Sequence, residues 1–301
     1  MRTSCIWRNI VSCDSGVAKD SLGIGQFRWW LILLHLAPGC WWKLVECNGT
    51  RLLITQWLSA LARKFGDVFT QAALGSGVIP MATPPDPVRL FHITAMANLP
   101  AICQAKAILA KNHGQQYINI AHQGAQGARS GRAVPNPPGG VVHDYVPLFY
   151  APRSPMLFAI NCGRVDGCQL KQEEIVHFEF SLPSALADGA PFVIFDRNAT
   201  LSYAGAYTSL NDLDKVAWDL FFEAPLVGDF SKYFHDRQTD PRHADRREKR
   251  MAEFLVKGCV MLSRCTRIGV INAAKQAEAR AIVQKAGLTL LVDVRPDWYF
   301  L

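Results

Sequence analysis

The 301-residue sequence lacks the short patterns by which many cofactor and metal sites are recognised. It has no Gly-x-Gly-x-x-Gly and no Walker-type loop, which excludes the two common glycine-rich phosphate cradles. Its nine cysteines include no Cys-x-x-Cys pair and no Cys/His spacing of the zinc type. We therefore predict no metal site, and free thiols in a reducing, cytoplasmic compartment.

A membrane-spanning run is also missing. The apolar stretch 29–42 is too short to cross a bilayer and is interrupted by His35, Pro38 and Gly39. It also begins too far from the N-terminus for a secretory signal. We predict no membrane association from this stretch.

Strong charge of one sign is absent from most of the chain. The formal net charge is +7, but residues 1–80 carry eight Lys and Arg against four Asp and Glu. This leaves a surplus of only three positive charges for residues 81–301. Such a balance does not by itself indicate a nucleic-acid partner, so local charge has to carry that inference.

The first 80 residues differ in composition from the rest. They hold six of the eight tryptophans and four of the nine cysteines, without a repeat or a recognisable module. Met81 then opens "MATPPDPVRLFHIT", a short proline-rich lead into a strand. We expect an N-terminal extension, 1–80, that is non-native upstream sequence or disordered, followed by one domain, 81–301. A membrane-surface or partner-binding extension is the alternative for 1–80.

From residue 88 onward, strand and helix patterns intermix without a steady βαβ rhythm, which favours an α+β fold over a doubly wound sheet. The polar, glycine-rich stretch 111–140 predicts a long loop that is either functional or disordered. The predicted strands are "VRLFHIT", "SPMLFAI", "IVHFEFSL", "PFVIFD", "FLV", "IGVIN" and "LTLLVDV". The predicted helices are "NLPAICQAKAIL", "NDLDKVAWDLFFE" capped by Asn211, and "AAKQAEARAIVQKAG" closed by Gly287.

Three polar side chains lie where secondary structure alone does not require them. His92 lies near the end of an apolar strand, Arg129 lies among small residues, and Glu253 precedes "FLV". A carboxylate at the start of a buried strand is costly unless it is paired or used. Structural roles remain open for all three: a satisfied core histidine, a solvated loop arginine, and a glutamate paired with Lys249 or Arg250.

Five longer motifs follow one another along the chain. They are "LFHIT" with a following "NL", "VPNPPGGVVHDYVPLFYAPRSPMLFAI", "PFVIFDRNATLSYA", "REKRMAEFLV" and the terminal "VRPDWYF". Together they resemble the DarT family of DNA ADP-ribosyltransferase toxins, over about residues 84–300. The resemblance implies an ADP-ribosyltransferase-like split β-sheet with flanking helices around a cleft that binds NAD as co-substrate, without a metal.

The resemblance also implies residues that bind NAD. In the family, the histidine and threonine of the first strand hold NAD, and they match His92 and Thr94 with Ile93 between them. Counting on without gaps, the further NAD contacts fall on Ala101 and Leu109.

Two residues are implied to be catalytic. The family's glutamate falls on Glu253, whose carboxylate would face the positive charge that develops on the ribose as nicotinamide leaves. The family's arginine, which also contacts NAD, falls on Arg129, with Arg132 as a competitor. Because a guanidinium has no acceptor, we prefer contact with the NAD phosphates or polarisation of the acceptor base, while a proton-accepting role stays open.

The family modifies a base in single-stranded DNA, most often thymidine, and residues 192–253 would present that base. Within this region, residues 235–250 carry six Lys and Arg and two His against four Asp and Glu. The adjacent Tyr233 and Phe234 suit a backbone track with base stacking, although a solvated face of mixed charge is the alternative. The arginines that we predict to contact DNA are Arg246, Arg247 and Arg250.

The predicted protein is therefore a toxin that transfers ADP-ribose from NAD to a base, thymidine in most of the family, in single-stranded DNA. A macrodomain antitoxin of the DarG type is its implied partner. ADP-ribosylation of protein or RNA is one alternative, and a catalytically silent nucleic-acid-binding module is another. The presence of His92, Arg129 and Glu253 disfavours the silent module.

Overall fold

The computed structural model describes residues 83–237 and 239–300. The predicted extension 1–80 lies outside the described residues. Within the described part, no helix is both long enough and apolar enough to cross a membrane.

Eight strands form one mixed sheet in the order β12-β11-β4-β1-β3-β9-β5-β6, and two small sheets pair β10 with β2 and β7 with β8. The strands are β1 Arg89–Ala95, β2 Ala107–Leu109, β3 Tyr145–Phe149, β4 Ile175–Ser181, β5 Phe192–Phe195, β6 Ala206–Tyr207, β7 Leu226–Val227, β8 Phe230–Ser231, β9 Glu253–Lys257, β10 Cys259–Met261, β11 Arg267–Val270 and β12 Val292–Val294.

The sheet is split between β1 and β3. Strand β1 pairs with β4 along its whole length, and β3 pairs with β9 over five residues, but β1 and β3 are paired only at Phe91↔Phe149. Pro147 on β3 has no N–H to offer, and its carbonyl accepts a hydrogen bond from the His92 side chain instead. The predicted split sheet is therefore present, and the gap lies beside His92.

Seven α-helices surround the sheet in the described residues. They are α1 Leu99–Ala105, α2 Gln123–Gly131, α3 Pro155–Asn161, α4 Leu182–Ala185, α5 Asp219–Phe222, α6 Arg246–Lys249 and α7 Ala273–Lys285. The longest, α7, begins where the Asn272 side chain accepts a hydrogen bond from the Lys275 N–H, and Gly287 follows it with φ of +69°. Both ends match the predicted helix.

The core is aromatic and lies against the long strands. Trp298 packs edge-on against Phe91, with ring centroids 5.1 Å apart. Its ring also covers β11 at Gly269, where a Cβ would lie 2.1 Å from the indole. Only glycine leaves room for this ring, and the Tyr299 hydroxyl, which donates to the Ile175 and Gly269 carbonyls, also holds the C-terminal "DWYF" segment against the sheet.

Several predicted elements differ in the structure. The stretch "SPMLFAI", predicted as a strand, forms α3 because Ser154 caps the Leu157 N–H and Pro155 occupies the first turn. The predicted loop 111–140 contains helix α2, which carries Arg129. That prediction failed because α2 buries no residue and so has no apolar period to detect.

Two predicted helices are shorter than expected. The helix from "NLPAICQAKAIL" ends at Ala105, because Lys106 adopts φ of +55° and the chain turns into β2. The helix predicted from Asn211 is a 3-10 helix, Leu210–Lys215, capped by Ser209, and α5 follows separately. The mixture of a large sheet with irregularly ordered helices confirms the α+β prediction.

Candidate active site

A cavity of about 930 Å³ lies where the sheet splits, between β1 and β3 and beside the start of β9. Pockets for small molecules and cofactors span about 300–1,000 Å³, so this one is large enough for a dinucleotide. Seven of the predicted site residues line it. They are His92, Ile93, Thr94, Leu109, Arg129, Arg247 and Glu253.

The predicted NAD contact at Ala101 is not among the lining residues. Ala101 is half-buried on α1, and its neighbour Ile102 lines the cavity in its place. Ala101 therefore lies beside the cavity wall, and its contact with NAD stays a prediction.

His92 presents one ring nitrogen to a ligand. Its Nδ1 lies 2.9 Å from the carbonyl oxygen of Pro147, which can only accept, so Nδ1 carries the proton. Burial lowers the pKa of His92, against the smaller opposite effect of that hydrogen bond. A neutral imidazole protonated on Nδ1 leaves Nε2 as an acceptor for a ligand hydroxyl.

Thr94 is held by a buried asparagine that also fixes the chain crossing the cavity. The Asn98 Nδ2 donates to the Thr94 hydroxyl and to the Ile118 carbonyl, both at 3.0 Å. Its Oδ1 accepts the Ile118 N–H at 2.8 Å. The Asn98 side chain therefore bonds both backbone groups of Ile118, as a neighbouring strand would. These bonds fix the segment 114–122, whose residues line the cavity.

Arg129 and Glu253 form the most enclosed ion pair of the cavity. Arg129 lies in the last turn of α2, and its Nη1 is 2.9 Å from each carboxylate oxygen of Glu253. The Ala199 N–H donates to Oε1 at 3.4 Å. Glu253 is 1 % exposed, and a buried carboxylate needs partners of this kind.

Arg132, the competing arginine, lies outside the cavity. Lys249 and Arg250, the alternative partners of Glu253, make other contacts. Arg132 donates to the Ser202 and Ala204 carbonyls and has no place in the cavity lining. Lys249 pairs with Asp245, and Arg250 lies over the Phe221 ring. The geometry thus favours Arg129 as the arginine of the site.

Tyr150 is a further buried group close to the glutamate. Burial raises the pKa of Tyr150 well above its usual value, and the negative charge of Glu253 raises it further. Its hydroxyl finds no hydrogen-bond partner among the described residues. The phenol therefore stays protonated beside the carboxylate.

Polar contacts hold α2 against the rest of the cavity. The Gln126 Oε1 accepts from the Lys111 Nζ at 2.8 Å and contacts the His143 Nε2 at 3.0 Å. Burial, together with the charges of Lys111 and Arg129, lowers the pKa of His143. His143 therefore adds no positive charge of its own, and Lys111 is the cation that can favour phosphates at this end of the cavity.

Two of the three predicted DNA-binding arginines are wrong. Arg246 is fully buried and paired with Glu223, and Arg250 is 2 % exposed. Burial, then the charges of Arg153 and Arg246, lower the pKa of Arg250 to about 9. A guanidinium enclosed in this way cannot reach a phosphate in solution. Arg247, in contrast, is exposed and lines the cavity.

An aromatic and cationic rim at the cavity combines Phe234 and His235, which the sequence predicted to face DNA, with Phe158 and Arg164, which it did not. Phe158 lies 5.0 Å from Phe234 and 5.2 Å from His235, measured between ring centroids, and the Arg164 Cζ is 5.9 Å from its ring. All four residues line the cavity. Phe158 and Arg164 lie at and just after α3, the helix mistaken for a strand, so no pattern linked them to residues 234 and 235.

Within the described residues, no three His, Cys, Asp or Glu side chains converge as metal ligands. Among the described residues that line the cavity are four histidines, His92, His122, His143 and His235, but one carboxylate, that of Glu253, which is paired with Arg129.

Comparison with known proteins identifies relatives along most of the chain. A family model described as "ssDNA thymidine ADP-ribosyltransferase, DarT" matches residues 91–300. A DNA ADP-ribosyl transferase of Thermus sp. (strain 2.9) is 34% identical over 221 residues, covering 72% of this chain and 99% of the relative.

Two solved structures show the same fold. Thermus sp. 2.9 DarT in complex with ADP-ribosylated ssDNA has a TM-score of 0.65 and 32% identity, over 73% of this chain and 100% of that one. The same protein in complex with NAD+ has a TM-score of 0.61 and 32% identity, over 72% and 100%. The similarity therefore covers the split sheet and the cavity together.

Proposed function

The chain belongs to the DarT family of single-stranded DNA thymidine ADP-ribosyltransferases, and on this premise we propose that Arg129 and Glu253 are its catalytic residues. The protein is an NAD-dependent DNA ADP-ribosyltransferase, the toxin of a toxin–antitoxin system. It transfers ADP-ribose from NAD to a base in single-stranded DNA, and the family description names that base as thymidine. The Arg129–Glu253 pair inside a cavity of dinucleotide size is the observation that carries the residue assignment.

NAD supplies the ADP-ribosyl group and nicotinamide as the leaving group. The bond from ribose C1 to the nicotinamide nitrogen breaks with its electron pair on nicotinamide, a base nitrogen bonds to C1, and the N–H proton of that base is released to solvent. Positive charge develops on the sugar between these events. The fixed carboxylate of Glu253 stabilises that charge, and no general acid is needed because nicotinamide leaves neutral.

Arg129 has a second role in this scheme. Its Nη1 contacts both oxygens of Glu253, so a ribose hydroxyl that binds the carboxylate displaces one of these contacts. The guanidinium then offers its remaining N–H groups to an NAD phosphate or to a carbonyl of the acceptor base. Since an arginine only donates, we assign it positioning and charge stabilisation rather than proton abstraction.

The NAD-binding residues that we propose are those on the cavity wall. His92 accepts a ribose hydroxyl through Nε2, while Ile93, Thr94 and Leu109 shape the surface beside it. Asn98 holds Thr94 and the crossing segment in place. Lys111 supplies positive charge near the pyrophosphate.

The rim is the proposed path of the single strand. Arg164 and Arg247 lie where phosphates of a strand entering the cavity would pass, and Phe158 and His235 offer ring faces to unstacked bases. Aromatic platforms beside cations are the usual basis of single-strand binding. This rim takes the place of the two buried arginines as the DNA-binding surface.

Modification of oligonucleotides tests the proposal. Purified protein with NAD should add one ADP-ribose to a thymidine-containing single strand, seen by mass spectrometry and by a mobility shift, and should modify the matched duplex far less, since pairing sequesters the base. Transfer to a protein or an RNA strand in place of DNA would contradict it. The Glu253→Gln protein is the matched control.

We also propose a partner and a minimal domain. The family resemblance indicates a DarG-type macrodomain antitoxin, which should remove the mark and restore growth when it is co-expressed with this protein. Residues 81–301 should carry full activity, because all the proposed site residues lie in that range. A truncated 81–301 protein that folds but loses transfer activity would contradict the domain assignment.

A further inference from the structure

Asn198 lies in the turn between β5 and β6, half-buried on the cavity wall. Its Oδ1 accepts the Thr200 N–H at 3.0 Å and the Thr200 hydroxyl at 2.9 Å. Because a backbone N–H can only donate, these contacts fix which end of the amide is oxygen. The NH₂ group is therefore the end that remains for the cavity.

This NH₂ group is poorly satisfied by the protein. Its partner among the described residues is the Met251 sulfur at 3.6 Å, and a thioether is a weak acceptor. An amide nitrogen has two N–H groups, so at least one of them has no strong acceptor. Met251 also lines the cavity, which places this donor on the cavity wall.

The turn that carries Asn198 is fastened to the catalytic glutamate. The next residue, Ala199, is fully buried and donates its N–H to the Glu253 Oε1 at 3.4 Å. The Asn198 N–H donates to the Glu248 carbonyl of α6 at 3.2 Å. Two backbone N–H groups, those of Asn198 and Ala199, thus fix the position of the Asn198 amide. Its neighbour Ala199 contacts Glu253 directly, so the amide lies close to the proposed reacting centre.

We propose that the Asn198 amide donates a hydrogen bond to O4 of the acceptor base and so selects thymine or uracil over cytosine. This inference rests on the proposed function of the same cavity. Thymine carries a carbonyl at position 4, next to the N3–H, where cytosine carries an amino group. An NH₂ donor fixed at this position pairs with O4, whereas against cytosine two donors would meet and both would lose their partners.

The decisive measurement is a double-mutant cycle on kcat/KM, in which one change is made in the Asn198 side chain and the other at position 4 of the base. Wild type and Asn198→Ala are each given NAD and a single strand with one reactive thymine, or the same strand with 4-thiothymine. Sulfur is a weaker acceptor than oxygen, and its effect on the acidity of N3–H is the same for both proteins. We expect the ratio of kcat/KM between the two strands to fall about tenfold in the variant, the size of one lost hydrogen bond.

Two further variants keep the test independent of folding. Asn198→Asp retains the acceptor for Thr200 but removes the donor, so it should lose the same discrimination. Thr200→Val removes the hydroxyl on the other side of the amide and should keep the wild-type ratio between strands, whatever happens to its rate. NAD affinity measured by calorimetry reports whether each protein retains its site.

The outcomes separate this proposal from the one on which it rests. An equal ratio in wild type and in both Asn198 variants would overturn the role of the amide while DNA modification stands. A wild type that modifies neither strand would overturn the proposed function and this inference with it. Equal modification of a cytosine-containing strand by wild type would also contradict the selection.

Discussion

Two groups of ionisable side chains in this domain both contain histidine and arginine, but they lie in different surroundings. The cleft group lines the cavity and consists of His92, Arg129 and Glu253. The enclosed group is buried outside the cavity lining and consists of Arg153, His177, Arg246 and Arg250. The Arg129–Glu253 pair of the cleft group lies where a ligand can replace one partner. The enclosed group contacts carbonyls, the Phe221 ring and, at Arg246, the Glu223 carboxylate, all away from the cavity.

The two groups differ in the partners that their guanidinium groups contact. Arg129 has a carboxylate 2.9 Å away on a cavity wall. Arg153 donates to the Ser231 carbonyl at 2.8 Å, and Arg250 lies 4.5 Å above the Phe221 ring. The Nε and Nη1 of Arg250 find no partner among the described residues. A cation in the second setting contributes to packing, whereas the first setting leaves the guanidinium within reach of a ligand.

Replacing Glu253 gives the largest expected effect and breaks the cleft group. Glu253→Gln keeps the size and the contact with Ala199 but removes the negative charge that faces the developing cation. We expect DNA modification to fall by about 10³-fold or more, while NAD binding changes far less, because the charge acts on the transition state. Single-turnover transfer and calorimetry measure the two quantities. Retained modification by a folded Glu253→Gln protein would refute the assignment.

Arg129 gives the next largest effect and tests whether geometry or charge matters in the cleft. Arg129→Lys keeps the cation but loses the planar donor set, and we expect kcat to fall by about 10²-fold. Arg132→Lys is the matched control, since Arg132 contacts carbonyls outside the cavity. A larger loss of transfer in the Arg132 variant would reverse the choice between the two arginines.

These two predictions also show what the sequence could and could not supply. The strand positions of His92 and Glu253 follow from short apolar runs, and their roles follow from motif resemblance. Helix α3 was missed although Ser154 and Pro155 are an ordinary helix start, because the apolar run that follows also suits a strand. Helix α2 offered little apolar pattern, because two alanines are its apolar side chains and three of its nine residues are glycine.

The DNA-binding arginines failed for a different reason. Arg246, Arg247 and Arg250 lie in one basic stretch, and charge composition cannot tell which side of a four-residue helix faces the protein. Burial of Arg246 beside Glu223 depends on a residue 23 positions earlier in the chain. Such pairing is set by tertiary packing, which composition does not contain.

The enclosed group should make stability depend on pH. Burial lowers the pKa of His177 to about 4, outweighing its contact with the Pro152 carbonyl. An unfolded histidine titrates near 6.5, so between about pH 6.5 and pH 4 the unfolded state binds more protons and stability falls as pH falls. The full effect is about 3 kcal/mol. His92 acts in the same direction.

Chemical denaturation at several pH values measures this dependence. His177→Asn, which can still donate to a carbonyl, should flatten the slope below pH 6.5 relative to wild type. The His92→Asn variant should change the slope in the same direction and should also weaken NAD binding. An unchanged slope in His177→Asn would show that the enclosed histidine is not the titrating group.

The smallest expected effect separates an exposed arginine from an enclosed one in DNA binding. Arg247→Ala should reduce the log–log salt slope of single-strand binding by about 0.7, the release of one counterion. Arg250→Met should leave that slope unchanged and should lower the free energy of unfolding by no more than about 1 kcal/mol, because the buried charge of Arg250 has no carboxylate partner to lose among the described residues. A flattened slope in Arg250→Met would mean that the enclosed arginine reaches DNA.

The single residue pair that joins β1 to β3 has a mechanical consequence. The sheet thus has two halves, each held by continuous backbone hydrogen bonds. One half is built on β1 and β4 and the other on β3 and β9, and the pair Phe91↔Phe149 joins them. Bending of such a sheet concentrates along the line with the fewest backbone hydrogen bonds. The width of the cleft can therefore change by a small rotation of one half of the sheet against the other, with the strand pairing inside each half intact. A long ligand can enter without any strand pair having to separate.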